Sequence, residues 1–162
     1  PADKVRAIVP GGDTRQASSL AGLKNCPEGT EIVLIHDAAR PFIDEKIINA
    51  VIGAAGESGA SGPAIDVEDT IIIEKHGLIA EIPDRRTLKR IQTPQGFKMD
   101  VIRAAHEASL QRSVTDSTDD CGMVLSMGHR VKVVKGDRRN IKLTTGKDIV
   151  LAETLKGAVS SG

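Results

Sequence analysis

Short runs of β-branched residues alternate along this chain with longer segments of helical period, and that alternation restricts its possible folds more than any other feature. Val5–Val9 reads as a buried strand, followed by the turn Pro10-Gly11-Gly12-Asp13. Arg15–Lys24 then sets Ala17, Leu20, Ala21 and Leu23 at helical spacing. Glu31–Ile35 reads as a second buried strand. Asp44 is placed to cap a helix reaching Gly56, with Ile47, Ile48, Val51 and Ile52 on one face. Gly59–Val67 contains another short strand. Met99–Leu110 and Asp119–Met127 read as helices, Arg130–Val134 as a strand, and Lys147–Lys156 as a closing helix. Strands separated by helices build βαβ units, so the expected class is α/β with a mostly parallel sheet.

The stretch from Val67 to Arg90 breaks this pattern. Thr70–Glu74, a Lys-His-Gly turn and Leu78–Ile82 spell a hairpin. Ile71, Ile72 and Ile73 are consecutive, so the hairpin carries apolar side chains on both faces. A two-stranded ribbon of that kind is marginal in water and its edges invite pairing. Residues 67–86 are therefore expected to project as a β-arm that meets a partner's arm under two-fold symmetry. The alternative is an arm folded back on its own domain.

A length of 162 residues suits one domain. Lys+Arg and Asp+Glu both number 22, so no net field draws the chain to nucleic acid or an anionic membrane. Phe42 and Phe97 are the only aromatic side chains, too few for base-stacking platforms. No apolar run approaches the ~18 residues of a membrane span. Cys26 and Cys121 are far apart and in no C-x-x-C spacing, which disfavours a disulfide framework or a zinc site and fits a reducing, cytoplasmic setting. The chain opens at Pro1 and enters its first apolar run without a lead-in, so the domain is expected to be N-terminally incomplete. Val159-Ser-Ser-Gly162 reads as a frayed end.

Three segments carry the chemistry. The turn Gly11-Gly-Asp-Thr-Arg-Gln-Ala-Ser-Ser19 sits between a strand and a helix, where ligands of open α/β sheets bind and free N–H groups are available. Asp13 and Ser18 there can add specific hydrogen bonds, or Asp13 can serve as an ordinary helix cap. His36-Asp-Ala-Ala-Arg-Pro-Phe42 follows the second strand. An Asp at a strand's C-terminal end beside small alanines suits a Mg²⁺-phosphate or ribose site, and Arg40 can clamp a phosphate or pair with Asp37. His36 fits a supporting role better than a catalytic one. In Asn140-Ile-Lys-Leu-Thr-Thr145, Lys142 alternates with Ile141 and Leu143, and a lysine held on a short strand can neutralise charge at a phosphorus centre. The plain alternative is a solvated lysine.

The order of these motifs resembles the 2-C-methyl-D-erythritol 4-phosphate cytidylyltransferase family of the non-mevalonate isoprenoid pathway. The resemblance rests on Gly11-Gly12-Asp13-x-Arg15-x-x-Ser18, His36-Asp-Ala-Ala-Arg-Pro-Phe42, Asp69-Thr70, Arg85 with Gln92-Thr-Pro-Gln-x-Phe97, Thr118-Asp-Asp120 and Asn140-Ile-Lys-x-Thr144. It implies a Rossmann-like nucleotidyltransferase domain whose β-arm swaps across a homodimer, with CTP, a polyol phosphate and Mg²⁺ as the reacting set. It assigns Gly12, Asp13 and Ser18 to the cytosine end of CTP, and Asp37 and Ala38 to the ribose and substrate, with Asp37 as a candidate metal ligand. It assigns Lys142 to the reacting phosphate and Arg40 to bracing the Asp37 loop. Thr70 and Arg85 on the arm would reach the sugar phosphate in the other subunit, with Thr93 and Thr118 lining that pocket.

The family also opens with a Gly-rich loop of the Ala-Ala-Gly-x-Gly-x-Arg type, followed by a Pro-Lys pair, and this sequence has no match to it. The 162 residues alone are therefore expected to be inactive. Two other readings stay open: a ribitol-5-phosphate cytidylyltransferase, whose corresponding loop usually has Ser-Val where Ala38-Ala39 stand here, and a non-catalytic homologue that binds nucleotide or dimerises through the arm.

Overall fold

The computed structural model describes residues 4–159. Helix α1 (Arg15–Lys24) precedes strand β1 (Ile32–Ile35) and helix α2 (Glu45–Ser58). Strand β2 (Ala60–Asp66) leads to the hairpin β3 (Ile73–Lys75) and β4 (Leu78–Glu81). Strands β5 (Lys89–Ile91) and β6 (Gln95–Lys98), helices α3 (Met99–Gln111) and α4 (Asp120–Ser126), strand β7 (Lys132–Lys135) and helix α5 (Gly146–Val159) complete the order. The expected frayed end at 160–162 lies outside the described residues.

The fold is α/β, as the alternation implies. In the main sheet β6 pairs antiparallel with both β1 and β2, while β7 pairs parallel with β2. Thus β1, β2 and β7 share one direction, and β6 runs against them. Strand β5 continues the line of β6 along β2 after a short break. The sequence reading places no strand at β5 or β6. Each is only three or four residues long, and Gly and Pro interrupt the run.

Helix α2 begins where expected, with the Asp44 carboxylate accepting the Lys46 N–H at 2.7 Å. It covers one face of the sheet through Ile47, Val51, Ala54 and Ala55. The close fit is made at Gly96, where an added Cβ would stand 2.6 Å from Val51 Cγ1 and 3.2 Å from Ala55 Cβ. The next residue, Phe97, points to the opposite face, as the two-residue period of a strand requires. There it joins Leu23 of α1, Met99, Ile102 and Ala105 of α3, and Cys121, Met123 and Val124 of α4 in one buried cluster.

Two expectations are corrected. Val5–Val9 forms no strand, and Val5 and Ile8 are 59% and 93% exposed. An extended segment holds as a strand through ladder hydrogen bonds and a surface to cover, and among the described residues no strand pairs with this one. Lys142 likewise lies on an irregular segment, not on a strand. One backbone bond, from the Leu143 N–H to the Ala39 carbonyl at 2.8 Å, ties that segment to the loop after β1.

The hairpin forms its own two-stranded sheet. It turns at His76-Gly77, both with positive φ. Ile71, Ile72, Ile73, Leu78, Ile79 and Ile82 are between 41% and 73% exposed, so no surface among the described residues covers them.

Candidate active site

The loop after β1 is held by side chains that close on one another. The Asp37 N–H donates to Thr93 Oγ1 at 3.0 Å, and Thr93 Oγ1 also lies 3.0 Å from His36 Nδ1. His36 Nε2 is 2.9 Å from the Arg40 carbonyl oxygen. One proton arrangement satisfies all three contacts: the threonine hydroxyl donates to Nδ1, and Nε2–H donates to the carbonyl. His36 is thus a support, as its place at a strand end suggested. Thr93, expected to line the polyol-phosphate pocket, is 5% exposed, and its hydroxyl joins the same support.

A second set of bonds fixes the Lys142 segment against this loop. Arg40 Nη1 donates to the Asn140 carbonyl at 2.8 Å. Gln92 Nε2 donates to the carbonyls of Asp137 and Asn140, and its Oε1 accepts the Asp137 N–H. Asn140 Nδ2 donates to the Thr93 carbonyl at 2.8 Å. Gln92 and Asn140 are almost wholly buried, so these bonds run in a low-dielectric setting where they hold the loops firmly.

The stitching brings Lys142 Nζ to 3.0 Å from Asp37 Oδ2. Arg40 Nε stands 3.6 Å from the same oxygen, and Arg15 Nε 3.8 Å from Oδ1. Burial is the largest single influence on Asp37 and disfavours its charge. Lys142, Arg15 and Arg40 together outweigh it and hold the carboxyl below its usual range. Arg40 therefore braces the loop in two ways, through Asp37 and through Asn140.

This geometry bears on the metal. Three cations converge on Asp37, and among the described residues no group of three His, Cys, Asp or Glu could hold a metal ion. A divalent cation at Asp37 would meet like charge from three sides. The expectation that Asp37 ligates Mg²⁺ does not fit the site.

A cleft of about 400 Å³ opens between α1 and β1, lined by Arg15, Ser18, Ser19, His36 and Asp37 among others. Ser18 Oγ accepts the Gly12 N–H at 3.1 Å and donates to the Thr14 carbonyl at 3.0 Å. Gly12 packs so close to α1 that a Cβ would lie 2.4 Å from Ala17 Cβ. The helix cap is Thr14, whose Oγ1 accepts the Ala17 N–H, so Asp13 is exposed and takes no capping role. Ala38 sits in the Asp37 loop. Thr70 is exposed, and Arg85 Nη1 donates to the Glu68 carbonyl at 3.0 Å across the base of the hairpin. Thr118 is exposed just before α4.

The sequence reading did not single out Arg15, Asp120, Gln92 or Asn140 as site residues. Each lies inside a quoted motif, and that was the available signal. Their contacts join segments far apart in the chain, which spacing does not reveal.

The family description "IspD: 2-C-methyl-D-erythritol 4-phosphate cytidylyltransferase" matches residues 1–157. The chain is 44% identical over 155 residues to the 2-C-methyl-D-erythritol 4-phosphate cytidylyltransferase of Geobacter metallireducens, covering 93% of this chain and 66% of that protein. It is 41% identical over 152 residues to the protein of the same name from Desulforamulus reducens, covering 93% and 64%. The chain thus spans a little under two thirds of these relatives' length. The crystal structure of a 4-diphosphocytidyl-2C-methyl-D-erythritol synthase from Anaerococcus prevotii superposes with a TM-score of 0.87 at 34% identity, over 96% of this chain and 73% of that one. On its sequence and its fold together, this chain belongs to the 2-C-methyl-D-erythritol 4-phosphate cytidylyltransferase family.

Proposed function

We propose that the complete protein transfers the cytidylyl group of CTP to 2-C-methyl-D-erythritol 4-phosphate in isoprenoid precursor synthesis. The observation that carries this is the junction of Asp37 and Lys142 beyond the end of β1, beside the cleft lined by Arg15 and Ser18. The polyol phosphate's oxygen attacks the α-phosphorus of CTP, a new P–O bond forms, the bond to the β-phosphate breaks, and pyrophosphate leaves. No protein nucleophile is required. Cys121 is buried with its thiol pushed well up by that burial, so it stays unreactive. Catalysis is then positioning and charge stabilisation. Lys142 is 45% exposed at its side chain and can turn from Asp37 to the reacting phosphate. Gly12, Asp13 and Ser18 take the cytosine end, and Ala38 leaves room for the ribose. Mg²⁺, if it accompanies CTP as part of the substrate, would supply further charge neutralisation at the phosphates.

The arm extends the reading to a homodimer. Its apolar side chains are exposed, and Thr70 and Arg85 stand at its base. A partner's arm buries the isoleucines, and the two base residues reach the sugar phosphate of the neighbouring site. The proposed place of action is the cytoplasm; among the described residues no helix is long and apolar enough to cross a membrane.

The test is pyrophosphate release by the complete protein from CTP with each of two polyol phosphates. Turnover with the methylerythritol phosphate supports the proposal. Preference for ribitol 5-phosphate moves the protein to that activity, and CTP binding without turnover on either makes it a non-catalytic homologue.

A further inference from the structure

A buried charge stands behind the Asp37 cluster. Asp120 opens α4 and is 0% exposed. Its Oδ2 lies 2.6 Å from Arg15 Nη1, an ion pair off hydrogen-bond alignment. Its Oδ1 lies 4.0 Å from Nε2 of His106, itself buried and with neither ring nitrogen hydrogen-bonded. Burial lowers the pKa of His106, so the imidazole stays neutral and, among the described residues, Arg15 is the one full positive charge at Asp120. A carboxylate this deep is stable only with such a partner.

Arg15 reaches two carboxylates at once. Nη1 meets Asp120, and Nε faces Asp37 Oδ1 at 3.8 Å. Asp37 thereby has its two oxygens divided: Oδ1 towards Arg15, Oδ2 towards Lys142 and Arg40. A rigid guanidinium fork can hold this division because its far end is fixed in the core. Arg15 is held by more than Asp120 alone, since the neighbouring Gln16 donates to the Val114 carbonyl and accepts the Ser117 N–H, which docks the start of α1 on the loop before α4.

We propose that Arg15, anchored by the buried Asp120, is a positioning residue that sets the rotation of the Asp37 carboxylate and through it the resting place of the Lys142 ammonium. This rests on the proposed cytidylyl transfer for its catalytic consequence. The bland account makes Arg15 only the counter-charge that lets Asp120 be buried.

The complete protein is tested as Arg15→Gln, Lys142→Met and the double variant, each normalised to folded protein. The expected loss in kcat for Arg15→Gln is about 10–100-fold with KM for CTP changed by less than about threefold, since misplacement of a reacting group acts on the chemical step. In the Lys142→Met background the same substitution is expected to cost less than about threefold, because the two act as a unit. Losses that multiply, or Arg15→Gln with unchanged kcat, overturn the inference. A second measurement needs no turnover: competitive trace labelling of Lys142 with acetic anhydride. With Asp37 free to rotate, the Lys142 amine is expected to label at a rate at least about threefold different in Arg15→Gln from wild type, because its contact with Asp37 is reset. Equal rates leave Arg15 a counter-charge for Asp120 and nothing more. A wild-type protein that transfers no cytidylyl group, yet shows the labelling difference, sinks the functional reading and leaves the positioning intact. Asp120→Asn is a weaker probe, since it can fail to fold.

Discussion

Lowering the pH should unload the α3–α4 core through one residue, His106. Its ring is 1% exposed, and three influences act on its proton. Burial is the largest and disfavours the imidazolium; the Asp120 carboxylate favours it; Arg15 disfavours it. The geometry decides the balance. Asp120 is 4.0 Å from His106 Nε2 but 2.6 Å from Arg15 Nη1, so much of its field is already cancelled. The net effect is a His106 pKa below its ordinary value. The unfolded chain then takes up a proton near pH 6.5 that the folded chain refuses until lower pH. Stability is therefore complete above the unfolded pKa and falls as pH drops below about 6.5, by at most about 1.4 kcal/mol per pH unit for one whole proton. Urea unfolding between pH 5 and 8, run in parallel on wild type and His106→Leu, isolates this residue. Leucine has similar bulk and cannot titrate. The variant is expected to show a shallower pH slope in this window, whatever its absolute stability. Asp37, whose pKa is also lowered, contributes in a separate window: its share is present above the carboxylate's unfolded value and fades only as pH falls through the lower folded one. Identical slopes would refute the reasoning. A steeper slope in the variant would mean that Asp120 holds His106 protonated and that Arg15 does not shield it.

Three further outcomes follow from the same structure. Lys142→Met in the complete protein should cut kcat by about 10²–10³-fold while CTP still binds; steady-state kinetics and calorimetry check this, and a loss under tenfold in folded protein returns Lys142 to a solvated side chain. Gly96→Ala pushes a methyl to 2.6 Å from Val51 Cγ1, and the stiff Val51 on α2 cannot yield, so about 1–3 kcal/mol of destabilisation is expected in urea. Adding Val51→Ala should recover part of that, and strict additivity of the two would speak against the clash. Mixing inactive Arg85→Ala and Lys142→Met proteins should restore part of the activity if the arm completes the partner's site, and proven subunit exchange without recovery would discard the shared site.

The elements that the sequence reveals are those whose signal is local. Asp44 with its downstream apolar face fixes α2 within a residue or two, and the Lys-His-Gly turn fixes the hairpin. Val5–Val9 shows the limit of the same signal, since β-branched composition marks a willingness to pair and cannot supply the pairing strand. Strands β5 and β6 were hidden for the opposite reason. Gln92-Thr-Pro-Gln95 carries the family resemblance and no strand alternation, and its Gln92 and Thr93 tie Asp137 and Asn140 to Asp37.

The site divides along the same line. Asp37 and Arg40 are three residues apart on one turn, so their pairing could be weighed from spacing. Lys142 stands out for its chemistry, while its alternation with Ile141 and Leu143 imitates a strand that does not form. The structure holds it by the Leu143–Ala39 bond and by Asn140, contacts between segments about a hundred residues apart. Asp120 was the least legible of all. An acidic residue in the first turn of a helix ordinarily faces water, where it answers the helix dipole. Here it is wholly buried, and its burial has a consequence for charge. Of the three cations round Asp37, Arg15 alone has a second carboxylate at its other end among the described residues. Without Asp120, one carboxylate would face three positive charges, and the cluster would carry an excess of two. With it, the excess falls to one, which leaves Lys142 and Arg40 to share a single anion between them. That remaining positive charge is what a phosphate entering the cleft would meet.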